Sequence, residues 1–230
     1  IVFGRIDGFA PVINLDSLSG SAGFKIIGAQ AGDFAGYVSA AGDVNGDGFG
    51  DLLIGATGVD APGQDDAGAA YLVFGRASGF GDVLDLGSLN GITGFRMTGI
   101  ASNDATGLTV SGAGDFNRDG FADILVAARQ ADDPNQALVD SGSVYLLFGK
   151  ANGFAASISL SSLDGVNGFR MSGLANDFFA GVSAQAAGDM NGDGKPELIC
   201  HTGGRFGFAE VDWKNPAAPA KFWASTKVAT

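Results

Sequence analysis

The stretch DVNGDGFGD, Asp43 to Asp51, decides how this chain is read. It returns as DFNRDGFAD from Asp115 to Asp123 and as DMNGDGKPE from Asp189 to Glu197, so the copies start 72 and 74 residues apart. Each copy sets oxygen-bearing side chains at loop positions 1, 3, 5 and 9 and a glycine at position 6. In a tight loop alternate residues point inward, so positions 1, 3 and 5 converge. Glycine allows the sharp turn that returns position 7, whose backbone carbonyl is a further oxygen. The expected ligands are Asp43, Asn45, Asp47, the Phe49 carbonyl and Asp51; then Asp115, Asn117, Asp119, the Phe121 carbonyl and Asp123; then Asp189, Asn191, Asp193, the Lys195 carbonyl and Glu197. An all-oxygen set of this kind suits Ca²⁺, up to three ions, better than Mg²⁺ with its strict octahedral shell. An EF-hand opens in the same way but needs Glu at position 12, where this chain has Ile54, Val126 and Cys200, and its flanks are helical. The plainer alternative is that Asp, Asn and Gly only form Asx turns in hairpins.

Working outward, each loop lies between short apolar segments. Tyr37–Ala40, Leu108–Ser111 and Val182–Gln185 precede the loops, each behind a glycine (Gly36, Gly107, Gly181). Leu52–Ala56 and Ile124–Ala128 follow the first two, then come AAYLVFGR and SVYLLFGK, ending at Arg76 and Lys150. GFKIIG, GFRMTG and GFRMSG start at Gly23, Gly94 and Gly168. Such short runs, rich in β-branched and aromatic residues and bounded by Gly, Asp and Ser, read as strands. The segment Leu86 to Ile92 is read as connection in preference to a helical turn. Four strands per period of about 70 residues describe a blade of a β-propeller, with the metal loop joining strands one and two. The predicted fold is all-β: four-stranded antiparallel blades, about three of them, an incomplete ring. Residues 1–200 form the repeat segment, two half blades flanking two full ones. From His201 the repeat text stops, and residues 201–230, with Trp213, Trp223, Lys214, Lys221 and Lys227, are expected to be an atypical tail, weakly ordered after Gly207.

Here the chain resembles the FG-GAP repeat of integrin α-type propellers and their bacterial relatives. Phe34-Ala35-Gly36, the Asp43–Asp51 loop and Gly55-Ala56-Thr57 carry the likeness. Copy two departs with Ala105-Thr106-Gly107 and Ala127-Ala128-Arg129; copy three keeps Phe179-Ala180-Gly181 and replaces GAP with Cys200-His201-Thr202. The resemblance implies calcium in the inter-strand loops and about seven blades in a complete domain, so further repeats of a longer parent chain. It also implies a cell-surface or secreted placement, and a protein or glycan partner. The expected function is a calcium-binding scaffold for adhesion or ligand binding. The alternatives are accessory repeats of a secreted hydrolase, such as a phospholipase that cleaves lipid anchors, or a structural repeat with vestigial loops.

Composition narrows the field. The net charge of −12 disfavours nucleic acid and anionic membrane surfaces. The loops hold nine of the 25 acidic residues, so three Ca²⁺ would halve that charge. No apolar run reaches the ~18 residues of a spanning helix. Single Cys200 and single His201 give no disulfide, His-based triad or His-rich zinc site, and no catalytic role is expected. Asp60, Asp65 and Asp66, and their counterparts Asp132, Asp133 and Asp140, are read as turn residues. Asp33, Asp104 and Asp177 are expected to bond turn backbone. Phe3, Phe24, Phe74, Phe95, Phe148 and Phe169 are expected to pack blade on blade.

Overall fold

A computed structural model describes residues 1–133, 135–151, 153–173, 175–190, 192, 196–202, 205–210 and 221–224. Strands β1 (Lys25–Ile27), β2 (Ala35–Gly42), β3 (Asp51–Ala56), β4 (Ala69–Val73), β5 (Val83–Asp85) and β6 (Gly94–Thr98) come first. Then follow β7 (Thr106–Gly114), β8 (Asp123–Ala128), β9 (Ser143–Leu147), β10 (Ser157–Ser159) and β11 (Gly168–Ser172). Last come β12 (Ser183–Gly188), β13 (Glu197–Thr202), β14 (Arg205–Glu210) and β15 (Lys221–Ala224).

The expected blades are present. One is the antiparallel run β2-β3-β4-β6, the next is β7-β8-β9-β11, and the third is β12-β13-β14-β15. Before them, the bridge Val2↔Gly23 and β1 supply the outer part of a further blade. The third blade differs from the two-strand reading. The backbone of Arg205–Glu210 and Lys221–Ala224 pairs on beyond β13. Ladder pairing needs backbone amides and a β-compatible run, and RFGFAE and KFWA are such runs without matching the repeat text. The expectations for Trp213, Lys214 and Lys227 lie outside the described residues.

Two further differences concern the connections. Leu86–Ser88 is a single 3-10 turn capped by Asp85, whose side chain accepts from the Gly87 N–H; Leu15–Ser17 and Leu160–Ser162 repeat it, capped by Asn14 and Ser159. A short strand also precedes the turns at Leu86 and Leu160. It pairs in parallel with the outer strand of the blade before: β5 on β1 and β10 on β6. The connections thus stitch neighbouring blades together at the rim.

Strands β4, β8 and β9 are buried along their whole length because a blade is covered on both faces. In β8, Ile124, Val126 and Ala128 join the cluster shared with Leu53, Leu72, Phe95 and Met97 of the first blade. Leu125 and Ala127, of opposite parity, join Ala184, Leu198 and Cys200 of the third. Alternate side chains of a strand leave opposite faces, so one apolar run serves two interfaces. The recurrent phenylalanines pair within their own blades, Phe3 with Phe24, Phe74 with Phe95 and Phe148 with Phe169, ring centroids 5.8, 5.9 and 6.1 Å apart, and Phe74 and Phe95 also join the cluster shared with the next blade. A third ring comes from the connection. Phe80 stacks on Phe24 at 4.5 Å under the Arg76 guanidinium, and Phe154 stacks on Phe95 at 4.7 Å under Lys150. The inner strands approach closely, since a Cβ at Gly55 would collide with the Gly107 carbonyl.

Candidate metal centre

Each acidic loop begins at a bulge. Register shifts between Ala40 and Gly42, Gly112 and Gly114, and Ala186 and Gly188 end β2, β7 and β12. The last glycine of each has positive φ (83°, 68° and 71°), which a side chain would resist. The chain therefore turns out of the ladder at the residue before position 1.

Positions 1, 3 and 5 are brought together by hydrogen bonds. Asp43 Oδ1 accepts from the N–H of Gly46 (2.8 Å) and Asp47 (3.0 Å), and its Oδ2 from Gly48 (2.8 Å). Asn45 Oδ1 accepts from the Asp47 N–H at 3.1 Å while Asn45 Nδ2 donates to Asp47 Oδ2 at 2.9 Å. Asp47 Oδ1 accepts from the Phe49 N–H at 2.9 Å. The second loop repeats this: Asp115 accepts from Asp119 and Gly120, Asn117 from Asp119, and Asp119 from Phe121 and Asn117 Nδ2. These are nested Asx turns, and they shape the loop without an ion.

Position 9 has a second duty that the sequence did not disclose. Asp51 Oδ2 accepts from the Val44 N–H (2.8 Å) and its Oδ1 from the Gly75 N–H (2.9 Å), at the end of the third strand of the blade. Asp123 does the same with Phe116 (2.7 Å), Asn117 (3.3 Å) and Gly149 (2.9 Å). The closing acid thus straps the loop to the strand two places across the sheet. Burial, first of all, pushes Asp51 and Asp123 up to about 6, against the pull of these amides. The charges of Asp47 and Asp43 add to the rise at Asp51, and that of Asp119 at Asp123. The closing acid of each loop therefore feels the charges of the loop's other carboxylates.

In the third loop, Glu197 Oε2 accepts from the Met190 N–H at 2.6 Å and Asp189 Oδ1 from the Gly192 N–H at 2.7 Å. The expectations for Asn191, Asp193 and Lys195 lie outside the described residues. The longer Glu side chain reaches the same kind of partner as Asp51 and Asp123.

The loops also touch across blades. The Asp43 carbonyl accepts from the Ala122 N–H and the Val44 carbonyl from the Lys150 N–H, both at 3.0 Å. Gly46 lies against the Phe121 ring, with no room for a Cβ.

The donor set fits a hard cation in its chemistry, being oxygen throughout. A carboxylate oxygen has lone pairs to spare after one N–H bond. Among the described residues, however, no three His, Cys, Asp or Glu side chains form a ready-made cage. A bound Ca²⁺ would draw on Asp43, Asn45, Asp47, the Phe49 carbonyl and Asp51, and on the matching five of loop two.

The other acidic residues are placed as turn groups. Asp33 and Asp104, 7% and 4% exposed, accept from the N–H of Gln30 and Ala101. For Asp177 the turn contact expected of it involves residue 174, outside the described residues. Asp60 accepts from the Asp66 N–H, and Asp132 from the Asp140 N–H, each at 2.9 Å. Asp133 holds Asn135 and Gln136. Cys200 is buried and its thiol is pushed up to about 12 by that burial, so it is an inert core group.

The model of the FG-GAP repeat matches residues 35–73 and 106–147. Phosphatidylinositol-glycan-specific phospholipase D of Bos taurus is 32% identical over 168 residues, 71% of this chain and 18% of that protein. Integrin alpha-V of Gallus gallus is 31% identical over 180 residues, 76% of this chain and 15% of that protein. Integrin alpha-PS2 of Drosophila melanogaster is 32% identical over 134 residues, 56% and 9%. The chain thus spans less than a fifth of the length of these relatives.

Proposed function

From a chain that carries FG-GAP repeats and belongs with the integrin-α type of propeller, we infer a calcium-stabilised scaffold for adhesion or ligand binding outside the cell. The observation that carries this reading is the twice-repeated loop. Its carboxylates and amide oxygens are gathered by shared backbone amides, and its closing acid is strapped to the third strand. An ion there would neutralise the carboxylates and tie three strands of the blade through one point. Binding only the folded state, it would raise stability by mass action. Extracellular calcium is abundant enough for sites of millimolar grade. No helix among the described residues is long and apolar enough to cross a membrane.

The second reading is that of accessory, non-catalytic repeats in a secreted hydrolase. The similarity to proteins named as phospholipases favours it. The full coding sequence separates the two: an upstream catalytic domain supports the second, further repeats on both sides the first. The calcium part is tested by thermal melts in excess EGTA, across a calcium titration, and in magnesium. A calcium-specific rise that disappears in Asp47→Ala plus Asp119→Ala supports it; equal melting in all three solutions overturns it and leaves the loops as hairpin turns.

A further inference from the structure

The metal loops leave the end of the blade where Gly42 pairs with Asp51; the opposite end is where Ala35 pairs with Ala56. There the β1–β2 and β3–β4 connections enclose a cavity of about 400 Å³, walled by Asp33, Asp60, Asp65, Asp66, Tyr71 and Arg96 among others. Tyr71 and Arg96 face each other across β4 and β6. Tyr71 is 2% exposed and its hydroxyl has no hydrogen-bond partner. Burial raises its pKa, with the Asp33 charge adding and Arg96 opposing, so both charges act on that hydroxyl.

The second blade shows what is missing. Ser143 stands there in the position of Ala69. Its Oγ accepts from Arg170 Nε at 2.9 Å. Arg170 Nη2 donates to the Asp132 carbonyl at 2.6 Å. One serine therefore ties the arginine. Ala69 has no group that does so, and Arg96 is left facing the cavity beside Tyr71.

A second recess of about 260 Å³ adjoins the first, sharing Gly58 and Asp66 and adding Phe34, Asn103, Ala105 and Gln130. At the next blade junction Phe179 takes the corresponding place with the Arg129 guanidinium 5.0 Å over its ring. Ala105 and Thr57 occupy these positions here, so neither filler is present. The Phe34 ring stands 74% exposed at the edge.

We propose that these joined recesses form a carbohydrate-binding site, with a neutral sugar residue held between Tyr71, Arg96 and the carboxylates of Asp33 and Asp66. The chemistry selects the ligand. Four carboxylates against one guanidinium repel an anion. An apolar ligand leaves Tyr71 unpaired and strips water from charges. A cation, metal or organic, meets the Arg96 guanidinium. Vicinal hydroxyls donate to carboxylates and accept from guanidinium and phenol at the same short spacing. The volume is within the ~300–1,000 Å³ of small-ligand sites. Phe34 offers an apolar face to a second sugar, and Asn103 and Gln130 offer amides. The site rests on the reading of the chain as a ligand-binding scaffold, and does not depend on the calcium loops.

The test is saturation-transfer NMR, with isothermal titration, on the full chain. The probes are the methyl glycosides of mannose, galactose and N-acetylglucosamine. Transfer to at least one is expected. Its affinity should fall by about tenfold or more in Ala69→Ser, which supplies the hydroxyl that ties the arginine in the second blade, and in Tyr71→Phe. Val166→Ala, in an exposed turn, should match the parent. No transfer to any probe, or equal binding by Tyr71→Phe and the parent, overturns the site; Tyr71→Phe decides if Ala69→Ser does not fold. A failed sugar test beside a retained calcium-dependent melt removes this pocket alone, whereas retained sugar binding without any calcium effect removes only the metal reading.

Discussion

Asp123→Ala, measured with all divalent metal chelated, isolates the strapping role of the closing acid. The parent carboxylate is fully buried and accepts from three amides, those of Phe116, Asn117 and Gly149. Removing it orphans at least two well-aligned buried N–H groups, at about 1–3 kcal/mol each. Against this, a carboxyl raised from 3.8 to about 6 is costly to ionise in the folded state, and alanine relieves about 3 kcal/mol of that cost near pH 7. Set against about 2–6 kcal/mol for two orphaned amides, this leaves a loss of up to about 3 kcal/mol, or as much as roughly 6–12 °C in melting temperature for a chain of this size. Asp115→Ala is the comparison. Its side chain is exposed, so water replaces the lost bonds and the loss should stay below about 1 kcal/mol. Urea denaturation followed by circular dichroism gives both numbers. Equal, small losses in the two variants would refute the strap.

Asp104 supplies the pH dependence. Burial chiefly pushes it to about 6, with the charge of Asp132 adding. A raised acid binds more protons folded than unfolded between about pH 4 and 6, so its contribution to stability falls as pH rises through that window and is level above it. Asp104→Asn, which keeps an acceptor for the Ala101 N–H, should flatten that fall in the urea midpoint; unchanged curves would contradict it. Phe154→Ala removes a ring stacked on Phe95 across the blade junction and should cost about 3 kcal/mol in the same assay. Gly107→Ala puts a Cβ into the Ala69 carbonyl at a φ of 92°. A loss of at least about 2 kcal/mol is expected, and a smaller one would mean the inner strands separate readily.

Loops and blade strands were legible because their signals are local. Asp, Asn and Gly at fixed offsets make the turn, and runs such as LVF and ILVAA mark strands covered on both faces. The strap was hidden because the amides of Gly75 and Gly149 lie 24 and 26 residues beyond the acids they bond. The rim strands β5 and β10 are three residues long and pair with another blade, so no periodicity announces them. The 3-10 turns at Leu15, Leu86 and Leu160 leave no trace in the periodicity because three residues show no helical period, although Asn14, Asp85 and Ser159 are ordinary caps. The strands β14 and β15 escaped because the reading followed repeat text, and ladder pairing does not require it. The polar cavity depends on one substitution, alanine for serine at position 69, whose meaning appears only when the two blades are superposed.

The most direct test of the calcium account is the stoichiometry of calcium bound at saturation, by equilibrium dialysis of the parent chain and of Asp47→Ala plus Asp119→Ala. The account predicts two ions fewer in the double variant, with magnesium failing to compete at equal concentration. Identical stoichiometry in both proteins would contradict it.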